Sequence, residues 1–353
     1  MFNGIALLIL LGFGVGIVML VRRSILTQHR SDLLSLAAAG NDNERANAFR
    51  VLRSLRARTI AGMAAMVSGG AVALVLQQEF TAAAGLPLAV APAGMWALSA
   101  AVFACWRLPH EFTGPSTESS LQVSAELTPR STGTFGPAWG IVLPAVLLGA
   151  SALGLVVAGF LSGTDEQGRF RNLPYVSAGG AELDTNMVVT HIQLGVGTAG
   201  PFPGWYYGLP VLALLLLGAG LNLWALKTNA RRPRMRDLRL LAFDDAVRTN
   251  VGYVVSTGFS AMLCFQIAPM MLAAAVAIRS SGMNPGYVVG QVLDQDTIPT
   301  MTLDPVLGFL ALAIAVVALL LLVIGTVLLV RLLGWMGTTV RPLQLPATDS
   351  AIA

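Results

Sequence analysis

Charge is scarce in this chain. Only 11% of its 353 residues are Asp, Glu, Lys or Arg, where a soluble domain carries about a quarter. With 55% hydrophobic residues and a mean hydropathy of +0.71, a soluble globular domain is excluded. The charges sit in blocks between apolar runs of roughly 20 residues or more, the length a helix needs to cross a bilayer. A transmembrane barrel would show strands of about ten alternating residues instead. Lysine is confined to Lys227, and arginine supplies every other basic side chain.

Other absences narrow the chemistry. The two cysteines, Cys105 and Cys264, both lie inside apolar runs, so there is no disulfide framework and no CxxC metal motif. None of the apolar cores holds Asp, Glu, Lys, Arg or His. Such groups inside a membrane mark proton relays and ion pathways, so a proton-coupled pump with its relay in this chain is not expected. No Walker A, HExxH or GxSxG sequence occurs, and His29, His110 and His191 are far apart. The reading is a non-enzymatic protein without cofactor or metal.

What is there reads as an all-α integral membrane protein of about seven transmembrane helices. The spans fall at about 2–21, 59–76, 87–106, 137–161, 207–226, 251–278 and 305–330. Residues 1–21 carry no basic residue before their apolar core, and Arg22-Arg23 follow it, the reverse of a cleaved signal. This first span is read as uncleaved, with Gly12 and Gly16 on one face. Ala61, Ala65, Gly69 and Ala73 form a small-residue stripe on the second span, and Ala93, Ala97, Ala101 and Cys105 on the third. A short turn makes these spans neighbours, and the stripes are expected to pack together. Pro137 is expected in a first helical turn, Pro269 to kink the sixth span, and Asp304 to cap the seventh.

Arginine gives the orientation. Taking segments 22–58, 107–134, 227–250 and 331–353 as cytoplasmic, 19 of the 22 basic residues lie inside and only Arg169, Arg171 and Arg279 outside. The inner side carries about +9 and the outer about −5. Trp106, Trp139, Trp224 and Trp335 near inner ends and Trp205 at an outer end form the expected aromatic belts, and Trp96 alone is deep. The N-terminus is then extracytoplasmic and the C-terminus cytoplasmic, in the plasma membrane. In the first cytoplasmic segment, a weak helix over 24–39 stops at Gly40, and Asn41 precedes Glu44 at capping-box spacing. Phe49, Leu52 and Leu55 then form an apolar stripe among arginines, a helix suited to lying on anionic headgroups. No nucleic-acid motif accompanies the charge. Residues 107–134 lack the apolar content for a core, and the adjacent His110 and Glu111 have nothing to orient them. Arg58-Thr59 with Gly62 echoes Arg248-Thr249 with Gly252, which is too little to establish a repeat.

The outer loops, 162–206 and 279–304, are where recognition is expected. Alternation over 186–196 argues a strand, and 287–293 is similar; the two are expected to pair into a small extracytoplasmic β cap. Arg169 and Arg171 either pair with acids such as Asp165, Glu166, Glu182 or Asp184, or hold an anionic ligand, a headgroup or a partner carboxylate. Trp205 and Tyr206, at the loop's exit, are candidate contacts with them. Asp294, Asp296 and Asp304 are candidate Ca²⁺ oxygens, although a full ligand set is not visible. In span six, Tyr253, Ser256, Ser260 and Cys264 share a face and Gln266 lies off it. The hydroxyls either bond their own helix or line a polar path.

The loop and its exit, Asp165-Glu166 with Gly168-Arg169-Phe170-Arg171 and then Pro203-Gly204-Trp205-Tyr206-Tyr207-Gly208-Leu209-Pro210, resemble a pattern in uncharacterised actinobacterial multi-spanning membrane proteins. Span five and Arg232-Pro233 are also similar, so that about a quarter of the chain is covered. Some such proteins go with ABC-type transport systems. The resemblance implies a membrane subunit of a transport or export assembly, with cytoplasmic segments docking a partner ATPase. The second reading is an envelope scaffold or sensor accessory that binds an envelope protein through its outer loops.

Overall fold

A computed structural model describes residues 33–37, 42–109, 133–183, 189–233, 235, 240–287 and 299–340. Among the described residues, six helices are long and apolar enough to cross a membrane: α1 (Asp42–Glu79), α2 (Leu86–Cys105), α3 (Val142–Leu161), α4 (Trp205–Arg231), α5 (Leu241–Ser281) and α6 (Pro305–Val340). Each presents large apolar side chains outward, among them Val67, Leu98, Phe160, Leu216, Val276 and Phe309. A helix apolar on its outer face as well as its inner one belongs in lipid, and the chain is a polytopic membrane protein. The expected first span, with Gly12 and Gly16, lies outside the described residues, as do Gly40, Asn41, His110 and Glu111.

Three helices overrun the spans read from the sequence. α1 has 38 residues, α5 has 41 and α6 has 36. Each is about 54–62 Å long at 1.5 Å per residue, against a hydrocarbon core of about 30 Å. In α1 and α5 the polar segment and the start of the span form one continuous helix, because no glycine or proline interrupts 42–61 or 241–251. The Phe49–Leu52–Leu55 stripe is thereby carried into the protein. Leu52 and Leu55 are buried in the main core with Leu33, Phe243, Leu332 and Met336, while Arg50 and Arg53 face outward. At α3 the expectation fails in the other direction. Pro137 lies in a turn closed by the Gly140 N–H on the Pro137 carbonyl (2.8 Å), and the helix starts only at Val142.

α2 and α5 are the inner helices. α2 touches α1, α4 and α5, while α5 touches α2, α3, α4 and α6. The α1–α2 turn passes through left-handed Ala84 and Gly85 (φ +49° and +88°), where glycine relieves the cost a side chain would carry. The two helices pack as expected, but by side chains seated on glycines rather than stripe on stripe. Met95 and Leu98 lie over Gly69, and the Phe103 ring lies over Gly62. Trp96 faces the opposite way and is buried against Gly258 of α5.

At the other end from the arginine blocks stand two sheets. β1 (Gly163–Thr164), β2 (Phe170–Leu183) and β3 (Val189–Ala199) form one antiparallel sheet, with Tyr175 opposite Gly197 and Val176 opposite Val196. β4 (Met283–Tyr287) and β5 (Pro299–Leu303) form the second. The β content was expected, but the pairing differs: each loop folds back on itself. Local pairing closes a short loop, whereas pairing 186–196 with 287–293 joins segments about 100 residues apart at greater entropic cost. Within the expected second strand, residues 288–293 lie outside the described residues.

Candidate functional site

The larger described cavity, about 680 Å³, lies beneath the first sheet. Ala84, Leu88 and Pro92 line it from α2 and its turn, Arg171 and Phe202 from the loop, and Gln266 and Pro269 from α5. The walls are mainly apolar with a few polar groups, the usual make-up of a small-molecule site.

One carboxylate organises the roof. Asp165 Oδ1 accepts the N–H groups of Gln167 and Arg169, both at 2.9 Å. Its Oδ2 accepts Arg169 Nε at 2.9 Å and Arg171 Nε at 2.5 Å. Only 6% of the Asp165 side chain is exposed. Burial alone would push its carboxyl up, but the backbone N–H of Arg169, the two guanidiniums and the N–H of Gln167 hold it well below the usual carboxylate range. Of the two roles weighed for Arg169 and Arg171, pairing with an acid is present, and the acid is Asp165. Arg171 in addition lines the cavity.

The same loop is latched to the α1–α2 turn through three consecutive carbonyls. Arg169 Nη1 donates to Ala82 O (2.6 Å), Tyr206 Oη to Ala83 O (2.9 Å) and Tyr207 Oη to Ala84 O (2.5 Å). The Arg169 guanidinium lies over the Tyr206 ring at 5.4 Å. Trp205 sits on Gly159 of α3, edge-on to Phe160 at 5.2 Å. These two aromatic residues thus join the loop to the bundle.

Gln266 ties α5 to α2. Its Nε2 donates to Ala89 O (2.7 Å) and its Oε1 accepts Ala93 N–H (3.1 Å). The carboxamide thus bridges the backbone of residues 89 and 93 on either side of Pro92, where proline lacks an N–H and strains the preceding turn. The only sign in the sequence was an amide inside an apolar run. The neighbouring face is a packing surface. Ser256, Ser260 and Cys264 are buried; Ser260 Oγ donates to its own Ser256 carbonyl at 2.9 Å. Ser256 meets Gly140, Cys264 meets Gly325 of α6, and Tyr253 stacks on Trp335 at 4.7 Å. Asp304 caps α6, accepting the N–H groups of Val306 (2.8 Å) and Leu307 (3.3 Å). Asp294 and Asp296 lie outside the described residues.

At the opposite, basic end is a charged node that the sequence reading did not single out. Asp244 and Arg248 are both fully buried. Arg248 Nε donates to Asp244 Oδ2 at 2.8 Å, and Arg232 donates to Oδ1. Arg248 also donates to the carbonyls of Asn229 (3.1 Å), Ala230 (3.1 Å), Arg232 (2.7 Å) and Pro233 (3.1 Å), so it caps the C-terminal end of α4. The signal available was the i, i+4 spacing of 244 and 248. The Arg58 and Arg248 echo also has a counterpart here. Arg58 lies over Phe103 and Arg248 over Phe135, and Gly62 and Gly252 abut those same two residues.

No protein-family model matches this chain, and neither a curated protein nor a solved structure is similar to it.

Proposed function

We propose that the chain is a non-enzymatic plasma-membrane subunit of a transport or export assembly, with the sheet end outside and the basic end in the cytoplasm. The supporting observation is the 680 Å³ cavity between two proline-bearing helices, α2 and α5. Its solute is amphipathic: an apolar body against Leu88, Pro92 and Met270, and an acidic or hydrogen-bonding end at Arg171, shared with Asp165. Energy comes from a partner, an ATPase docked on the cytoplasmic segments, since the chain has no Walker A sequence. The resemblance to actinobacterial proteins of ABC-type transport systems motivates that choice.

Purification from native membranes tests it. A nucleotide-binding partner is the expected companion. Companions drawn only from the envelope favour the second reading, a scaffold or sensor accessory, for which the exposed Val176–Val196 pair offers a docking patch. Orientation is checked with single cysteines at Ser177 and Ser119 in a cysteine-free variant. An impermeant thiol reagent should label residue 177 in intact cells; labelling at 119 alone overturns the topology.

A further inference from the structure

A second cavity, of about 430 Å³, opens at the basic end between α1, α2 and α4. Five cationic residues line it: Arg58, Arg107, Lys227, Arg231 and Arg232. No carboxylate among the described residues lines it. Arg58 and Arg232 form the inner part, 4% and 9% exposed. They repel one another. Arg58 gives one N–H to the Phe103 carbonyl and Arg232 one to Asp244. Arg58 Nε and Arg232 Nη1 are buried with no hydrogen-bond partner among the described residues. A buried donor left unmade is costly, and two like charges in one cleft add to that cost.

The rim has a different character. Arg107, Lys227 and Arg231 are exposed, and so are the indoles of Trp106 and Trp224, with Leu223 beside the latter. Tryptophan at the end of an apolar run marks the level of the headgroups. The cleft therefore sits where lipid phosphate is, and basic pockets between helices suit anionic headgroups.

We propose that this cleft binds a phosphate group, that of an anionic inner-leaflet phospholipid, between the guanidiniums of Arg58 and Arg232 and the ammonium of Lys227. The phosphate relieves the repulsion and fills the open donors. Arg107 and Arg231 hold the rest of the headgroup, and the acyl chains run down the lipid-facing side past Trp224. The site lies at the far end of the bundle from the solute cavity and does not depend on transport.

The test uses the full chain in nonionic detergent, with native mass spectrometry and thermal unfolding as readouts. The probes are dioctanoyl phosphatidylglycerol, dioctanoyl phosphatidylcholine and inorganic phosphate. Phosphatidylglycerol should bind selectively and raise the melting temperature. Arg107→Gln with Lys227→Gln, both at exposed positions, should weaken it roughly ten- to thirtyfold and leave the lipid-free melting temperature unchanged. Arg58→Gln should abolish selectivity; if it does not fold, the exposed double variant decides. Equal binding of the two lipids, or selectivity untouched in the double variant, overturns the proposal. Displacement of the lipid by millimolar inorganic phosphate overturns the lipid assignment in favour of a soluble phosphate.

Discussion

The indole of Trp96 occupies the space that a side chain at Gly258 would need. A Cβ at 258 would stand 2.0 Å from the ring, and Trp96 itself is 1% exposed. Two inner helices of the bundle meet at this point. Gly258→Ala must displace the ring, at a cost of about 1–3 kcal/mol. Thermal unfolding in detergent should show a clear loss, while Gly220→Ala, whose Cβ meets nothing within 4 Å, should be neutral or slightly stabilising. Equal melting temperatures for the two variants would contradict this packing.

The Asp244 node gives a larger expected effect. Asp244→Asn leaves Arg248 and Arg232 buried beside a neutral amide. Breaking a buried pair from one side costs about 3–5 kcal/mol, so this variant should unfold far earlier or fail to accumulate folded. Arg53→Gln, at an exposed position on α1, should change stability by no more than about 0.5 kcal/mol. Similar stabilities would mean that the node is solvated after all.

Gly69 tests the α1–α2 contact. A Cβ there would lie 3.0 Å from Leu98 Cδ1 and 3.3 Å from the Met95 backbone, so Gly69→Leu overpacks by about 1–3 kcal/mol. Val67 and Leu74 are 66% and 59% exposed on the lipid side, and their replacement by Ala should be milder. Unfolding curves that rank the three alike would refute the pairing.

Acid should spare the roof of the outer cavity longer than an ordinary carboxylate would. The native Asp165 carboxyl is held down, so its contribution is complete above the unfolded value near 3.9 and is lost as pH falls through the lower native value. The protection of residues 163–176 against hydrogen exchange, corrected for the base-catalysed intrinsic rate, should match at pH 7 and pH 5. Asp165→Asn should speed exchange there at both pH values, and Arg169→Gln with Arg171→Gln should do the same. Insertion into the membrane should be unchanged in each. Protection in wild type that falls already between pH 7 and pH 5 would show that Asp165 does not carry the roof.

Apolar runs made six helices legible, and small residues made the α1–α2 contact legible, because both follow from local composition. Gln266 and Arg248 were less readable. Whether a guanidinium at the edge of a span meets water or four carbonyls depends on where α4 ends, and those carbonyls lie 15 to 19 residues away in sequence, a placement settled only by packing. In the outer loop, Arg169, Arg171 and Asp165 were each visible, yet no pattern within the loop revealed that Tyr206, Tyr207 and Arg169 face the α1–α2 turn.

That latch bears on covalent continuity. Residues 42–109 are fastened to the rest of the chain at both ends of the bundle and in between: by the carbonyls of Ala82, Ala83 and Ala84 at one end, by Gln266 on α2, and by Thr59 with Thr339 (3.3 Å) at the other. None of these ties runs through the stretch that links α2 to α3. Complementation by separate fragments is the expected consequence of a cut between 109 and 133, since residues 42–109 and the described residues from 133 onward carry matching surfaces.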